Sequence, residues 1–328
     1  MSRNIAVTGA SGRIGRFLVM RLLEEGFSVR VLLHRSHVDW PDIQPAVVRG
    51  SLNDPEALDS LVKDCDVVFH LAAEISVRSR AKRHLDKTNL FGTENVLEAA
   101  RRQKVRRVVY FSSVQAFVSE GRETPISEST PLALNSASPY GRSKAIALER
   151  ALIFSRDKTP EVIALCPTGV IGPYDFAPSP SGKMLIDLFN GNLPALTPGG
   201  FDWVDVRDVC DAAIAAINSG RNGEAYILSG KYARIWDIAN LTSVLTGRKV
   251  PKFTIPFSVL LPVAMLAEPA TGLLRKEPVF TPEALRILKH GSQYISHEKA
   301  AQAFGFSPRP LKATIADACR WFEQNGYL

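Results

Sequence analysis

The chain has 328 residues, 45% of them apolar, and a formal charge of +7 at neutral pH, enough for a full core and too little charge to mark a nucleic-acid binder by itself. Its four cysteines, Cys65, Cys166, Cys210 and Cys319, lie far apart with no C-x-x-C pair, which argues against a disulfide scaffold and a structural zinc site. Basic residues gather at Arg78, Arg80, Lys82 and Arg83 and again at Arg101, Arg102, Lys104, Arg106 and Arg107, but without interleaved aromatics, so the reading is a solvated basic face or attraction for an anionic cofactor, and no nucleic-acid partner.

The first strand, around Ile5–Thr8, runs into glycines spaced G-x-x-G-x-x-G at Gly9, Gly12 and Gly15. A helix follows, its apolar face formed by Ile14, Phe17, Leu18, Leu22 and Leu23. The unpaired N–H groups of such a turn and the helix dipole suit a pyrophosphate. The glycines serve where a Cβ would block the turn, the phosphate or the helix–strand contact. The plain alternative is a glycine-rich turn with no ligand. The N-terminus enters a strand directly, so no signal peptide is read, and a reducing, cytoplasmic setting is expected.

The second strand spans Ser28–Leu33 and is followed by His34 and Arg35. An acid at this point would hold the ribose 2′-hydroxyl of NAD. Basic residues there, with Arg30 and Arg35 as candidates, favour the 2′-phosphate of NADP, with NAD as the alternative. A third strand is predicted at Ala46–Arg49 and a helix at Pro55–Val62 capped by Asp54. The fourth strand and its loop run from Asp66 to Ala73, where the small Ala72 and Ala73 let a cofactor lie close and His70 reads as structural.

A helical pattern opens at Asn89; a strand follows at Val105–Phe111, with Ser112 and Ser113 at its C-terminal end. A helix from Ser138 carries Tyr140 and Lys144, and a strand at Val162–Leu165 leads to Cys166–Pro173. Composition then shifts to Pro, Gly and Ser over 173–200, with a helical stretch at Met184–Phe189. Strands are predicted at Phe201–Val206 and Ala225–Leu228, and helices at Asp208–Ile217, Trp236–Leu245, Ser296–Phe304 and Thr314–Glu323. The apolar segment Phe253–Leu274 is broken by prolines and too short to span a bilayer. It could cover an apolar pocket, rest on a membrane surface, or pack in the core or a dimer.

Tyr140 and Lys144 are four apart and share a helix face. A phenol is a poor base at neutral pH, but a neighbouring ammonium and a nicotinamide cation favour its ionised form. Ser113 can orient a substrate oxygen while the phenol moves the proton and hydride passes to or from nicotinamide. Y-x-x-x-K alone is weak; its value lies in following the Ser-Ser strand end and the glycine-rich turn.

These stretches, with His70-Leu71-Ala72-Ala73, Asn89 in TNLFGTENVLEAA, and Pro167-Thr168-Gly169-Val170-Ile171-Gly172-Pro173, resemble the extended short-chain dehydrogenase/reductases of the NAD(P)-dependent epimerase/dehydratase superfamily over nearly the whole chain. The resemblance implies an α/β fold: a Rossmann-type doubly wound parallel sheet with a smaller C-terminal substrate lobe. The expected division is 1–172 for the nucleotide domain, with 201–230 returning to it, and 173–200 plus 231–328 for the substrate lobe. Ser113, Tyr140, Lys144 and Asn89 take the family's catalytic positions. Implied cofactor contacts are Gly9, Ser11, Gly12, Arg13, Ile14, Gly15, His34, Arg35, Ser51, Leu52, Leu71, Ala72, Ala73, Lys144, Pro167, Thr168, Gly169 and Val170. No metal ligands are assigned, and a homodimer through a helix bundle that includes the Tyr140 helix is implied.

The tail GSQYISHEKAAQAFGFSPRPL and Trp203–Val209 look like the branch of dihydroflavonol-4-reductase-like, 3β-hydroxysteroid dehydrogenase-like and hopanoid-associated sugar epimerase-like proteins. Residues Val114-Gln115-Ala116 lack the acid pair that a sugar dehydratase adds after the serine. Between 175 and 200 the only charges are Asp175, Lys183 and Asp187, few for a diphosphate clamp. The leading expectation is therefore alcohol/ketone interconversion on an apolar substrate such as a sterol, terpenoid or flavonoid. A nucleotide-sugar epimerase with tightly bound NAD and a non-catalytic NADP-sensing scaffold are the alternatives.

Overall fold

The structure, a computed structural model, describes residues 3–40, 43–74, 85–119, 124–157, 159–193, 195–251, 253–273, 282–289 and 291–328. Seven parallel strands form the main sheet in the order β3-β2-β1-β4-β5-β6-β9. They are β1 (Asn4–Thr8), β2 (Ser28–Leu33), β3 (Ala46–Arg49), β4 (Val67–His70), β5 (Arg107–Phe111), β6 (Glu161–Pro167) and β9 (Glu224–Leu228). The central strands are apolar runs because helices cover both faces; Ile5, Ala6, Val7, Val67, Val68 and Phe69 have no exposed surface. One face packs on α2 (Pro55–Val62), α3 (Gly92–Arg102) and α4 (Pro139–Phe154), the other on α1 (Arg13–Glu24) and α6 (Val206–Ala215). Strand order reverses between β1 and β4, so a crevice opens at their C-terminal ends.

A second, three-stranded sheet, β10-β8-β7, comprises β7 (Gly169–Ile171), β8 (Gly200–Asp205) and β10 (Lys231–Arg234). It shares a separate core with α5 (Pro180–Asn190), α7 (Ile235–Thr246) and α11 (Leu311–Gln324), centred on Leu185, Phe189, Trp203, Ile238 and Phe322. The remaining helices are α8 (Phe257–Leu273), α9 (Pro282–Lys289) and α10 (Glu298–Phe304). Among the described residues no helix is long and apolar enough to cross a membrane. The result is the expected α/β Rossmann-type fold with a second lobe.

Local chemistry sets the boundaries. Asp54 caps α2 by accepting from the Ala57 amide at 3.1 Å, and Ser138 caps α4 through the Gly141 amide at 3.1 Å. β5 starts at Arg107, two residues later than predicted, because Lys104 turns the chain at φ +55° and the Val105 amide closes onto Ala100 O. α6 starts at Val206, two residues early, because Asp205 accepts from the Arg207 amide at 2.8 Å. Of residues 201–230 only β9 joins the main sheet as a strand; β8 pairs antiparallel with β10 and parallel with β7. β7 and β10 have three and four residues and too little alternation to be read from sequence. Helix α8 runs unbroken through Pro262 and Pro269, against the expectation that the prolines end it.

The basic run at 101–107 is spent on this chain's own acids: Arg101 pairs with Glu98, Arg102 with Asp59 and Arg107 with Glu161. The earlier cluster at Arg78–Arg83 lies outside the described residues.

His70, at the end of β4, ties β1 to α3 on one face of the sheet. Its Nδ1 lies 2.7 Å from Thr8 Oγ1 and its Nε2 lies 3.0 Å from Thr93 Oγ1, while Thr93 donates to Asn89 O. With the Thr93 proton committed, Nε2–H donates and Nδ1 accepts: the neutral tautomer. Burial, aided by the Lys144 charge, pushes His70 down to about 3. The folded protein therefore resists a proton that the unfolded chain takes up near 6.5, so this stability is present above 6.5 and declines as pH falls toward 3. Urea midpoints should drop across that window in the wild type, and His70→Gln should flatten the drop.

Candidate active site

The turn after β1 tests whether a nucleotide fits. Gly9 sits at φ +75°, and a Cβ there would lie 2.5 Å from the Ala72 amide nitrogen. A Cβ on Gly15 would lie 2.2 Å from Gly9 O. Both glycines are therefore required by β1, the β4 loop and α1 meeting backbone to backbone. Gly12 is different: the only atom near its absent Cβ is Gly9 O, at 3.3 Å. It is exposed, as is Ser11, and it begins α1 without a side-chain cap and with no acid in the first turn. An open, uncapped helix N-terminus of this kind fits a pyrophosphate.

Several expected cofactor contacts have other duties. Arg13 turns its guanidinium away from the turn and donates to Val170 O and Gly172 O at 2.9 Å each, Ser179 Oγ at 3.2 Å and Ser181 Oγ at 3.3 Å. It also lies 3.5 Å from the fully buried Asp175. Leu52 buries its side chain on Gly92 and gives its carbonyl to Asn95 Nδ2 at 2.8 Å, while Ser51 Oγ accepts from the Asn53 amide. Gly169 lacks a Cβ because Phe201 and Trp203 occupy the space. Pro167 and Thr168 are buried, and the Thr168 amide bonds Leu228 O. Ile14, Leu71, Ala72, Ala73 and Val170 are half-buried around the crevice, and His34 and Arg35 stand exposed beyond β2. Arg30 donates to Ser60 O, Leu61 O and Lys63 O at 2.8–3.0 Å, capping the C-terminus of α2.

The polar residues at the ends of β4 and β5 converge with α4. Ser113 caps the short turn Val114–Ala116, accepting from the Gln115 amide at 3.2 Å, and stands near enough to the Tyr140 phenol to favour its ionised form. Lys144, buried, donates to Phe111 O at 2.7 Å, with Nζ 5.1 Å from the centroid of the Tyr110 ring. Asn89 lies in a widened, π-helical turn, Asp86–Phe91. Its Oδ1 accepts from the Glu74 amide at 2.7 Å, and its Nδ2 donates to Glu74 O and Ser143 Oγ at 3.0 Å. Ser143 Oγ in turn donates to Tyr140 O at 2.8 Å. Ser143 escaped the sequence reading, although its place three residues after Tyr140 on the buried side of α4 was a usable signal.

Burial pushes the Tyr140 phenol up to about 12, with the nearby Ser113 hydroxyl acting in the opposite direction, and pushes Lys144 down to about 8. Desolvation is the largest influence on the phenol, and the Lys144 ammonium is engaged by Phe111 O.

Beside this group lies a cavity of about 540 Å³. Val114, Gln115 and Gly141, neighbours of Ser113 and Tyr140, form one wall; Phe201, Arg286 and Ile287 form another. The α9 wall could not be placed from sequence, because a hundred and more residues separate it from α4. No His, Cys, Asp and Glu cluster able to hold a metal occurs among the described residues.

The family model described as NAD dependent epimerase/dehydratase family matches residues 5–229. A sterol demethylase protein B of Methylococcus capsulatus is 30% identical, covering 98% of this chain and 99% of that protein. The crystal structure of gox2253 is 31% identical with a TM-score of 0.84, covering all of both chains. A UDP-glucose 4-epimerase of Thermotoga maritima, solved with UDP-glucose, is 22% identical with a TM-score of 0.80 and covers 98% and 99%.

The NADP expectation is corrected. Solved chains of this fold from Bordetella bronchiseptica, Bacillus anthracis and Bacillus cereus are named as complexes with NAD. In this chain Arg30, one of the two candidates for the 2′-phosphate, is committed to α2. Arg30→Ala should lower the melting temperature while leaving the ratio of NAD to NADP affinities unchanged, as read by cofactor titration. Arg13→Met leaves Asp175 buried without its cation and should cost about 3–5 kcal/mol in denaturant unfolding, partly regained in Arg13→Met/Asp175→Asn.

Proposed function

Since the chain belongs to the NAD dependent epimerase/dehydratase family, we propose that it oxidises a secondary alcohol of a small substrate with NAD and returns the hydride before release, as in nucleotide-sugar epimerisation. It is an NAD(P)-dependent enzyme of the oxidoreductase/epimerase kind. The observation that carries the reading is the meeting of Ser113, Tyr140 and buried Lys144, which donates to Phe111 O at 2.7 Å, at the strand ends that face the glycine turn. NAD, when bound, supplies the hydride acceptor and donor. In our assignment Tyr140 takes the alcohol proton as the carbonyl forms and gives it back, and Ser113 holds the substrate oxygen. Lys144 contributes positive charge and a donor for ribose hydroxyls. Asn89 acts by positioning: it ties the β4 loop to α4 through Ser143. Gly9–Gly15 take the pyrophosphate, with Gly12 as the open point.

We assign residues 1–172, with part of 201–230, to the nucleotide domain, and 173–200 with 231–328 to the substrate lobe. Support for the sugar-nucleotide substrate comes from relatives of this fold named as UDP-sugar epimerases. A second reading, net alcohol/ketone conversion on an apolar substrate in the dihydroflavonol-4-reductase-like and 3β-hydroxysteroid dehydrogenase-like branch, has its own support. The cavity wall is rich in Val114, Phe117, Ile126, Leu132, Phe201 and Ile287, and a 30%-identical relative is named for sterol demethylation.

Incubation with UDP-sugars and with hydroxysteroids, following product and reduced cofactor together, separates the two. Epimerised sugar with no accumulation of NADH supports the first; stoichiometric NADH with a steroid replaces it with the second. Tyr140→Phe should lower turnover by about 10²–10⁴-fold with NAD affinity unchanged; full activity in that variant overturns both. Because the phenol sits up at about 12, oxidation should quicken as pH rises through the alkaline range, and Ser113→Ala, which removes the hydroxyl that lowers it, should slow the reaction most at the lower pH values.

A further inference from the structure

From Phe257 to Leu266 every side chain of helix α8 except that of Ser258 is apolar. Its inner stripe, Phe257, Leu260, Leu261 and Ala264, is buried or half-buried. Its outer stripe, Val259, Pro262, Val263 and Leu266, repeats at the same helical spacing and faces solvent, with Val263 58% and Leu266 80% exposed. A helix hydrophobic all round is normally buried on all sides. The exposure extends back along the chain through Phe253 to Leu245 and Val244 at the end of α7.

Charge identifies the occupant. Residues 238–267 contain no Asp or Glu, while Arg248, Lys249 and Lys252 are all basic. Arg248 and Lys249 are exposed, Arg248 with one guanidinium nitrogen on Asn190 Oδ1. Apolar side chains beside cations with no acid among them complement a bilayer whose surface is anionic. A second copy docking by the same patch would set these cations against their own equivalents with no acid from the segment to answer them.

We propose that the outer stripe of α8, with Phe253 and the Arg248–Lys249 corner, rests on an anionic membrane surface, holding the enzyme at the interface without spanning it. The inference holds for either substrate reading. It is tested by co-sedimentation of the full chain with phosphatidylcholine vesicles, with and without a third of phosphatidylglycerol, alongside light scattering for mass. Binding is expected to the phosphatidylglycerol vesicles, to weaken with salt, and to fall at least about fivefold in Val263→Glu/Leu266→Glu and in Lys249→Glu, with melting temperatures unchanged because these side chains are exposed. Failure to bind those vesicles, or undiminished binding by the double variant, overturns the proposal. So does a wild-type dimer that the double variant converts to monomer, which would make the stripe an interface between copies.

Discussion

A single buried guanidinium joins the two lobes. Arg13 leaves the first turn of α1 and spends its donors on Val170 O, Gly172 O, Ser179 and Ser181, in the strand, loop and helix that lead into the second sheet and its core. Asp175, with no exposed surface, sits 3.5 Å away and is itself held by the Ser179 amide and hydroxyl. Burial lowers the arginine's affinity for its proton and the acids Asp175 and Asp205 oppose that, so the buried charge is tolerated because those acids lie beside it. The relation between the glycine turn and the second lobe is thereby fixed by several directional hydrogen bonds from one side chain.

The reacting groups are held by a comparable economy of parts. Asn89 uses both ends of its amide on Glu74 and Ser143, and Ser143 passes the constraint to the backbone of Tyr140. The π-helical turn places Asn89 inward where a regular helix would carry it elsewhere. Behind it, His70 links Thr8 on β1 to Thr93 on α3 and stacks on Tyr110, whose ring lies under Lys144. Dryness is what makes this polar group consequential: the same burial that raises the Tyr140 phenol also depresses Lys144 and His70.

Local signals carried much of this into the primary structure. Strand β2, strand β3 and helix α2 fall where alternation, apolar runs and the Asp54 cap place them. The glycine turn, the Ser-Ser strand end and Y-x-x-x-K are each short-range patterns, and their order along the chain was enough to indicate the fold and the class of chemistry. The family match over residues 5–229 agrees with that order.

What sequence could not carry was where long side chains go. Arg30 and Arg13 looked like anion ligands, but one caps α2 and the other bridges the lobes, because a flexible basic side chain takes whichever carbonyls the fold brings within reach. The pKa of Tyr140 likewise depends on how much water the folded chain excludes, which no spacing encodes. Periodicity, caps and glycines determined most of the elements, since those signals act within a few positions of one another. The cavity wall from α9, the short strands β7 and β10 and the exposed stripe on α8 were decided by tertiary packing, since each exists only once distant segments meet.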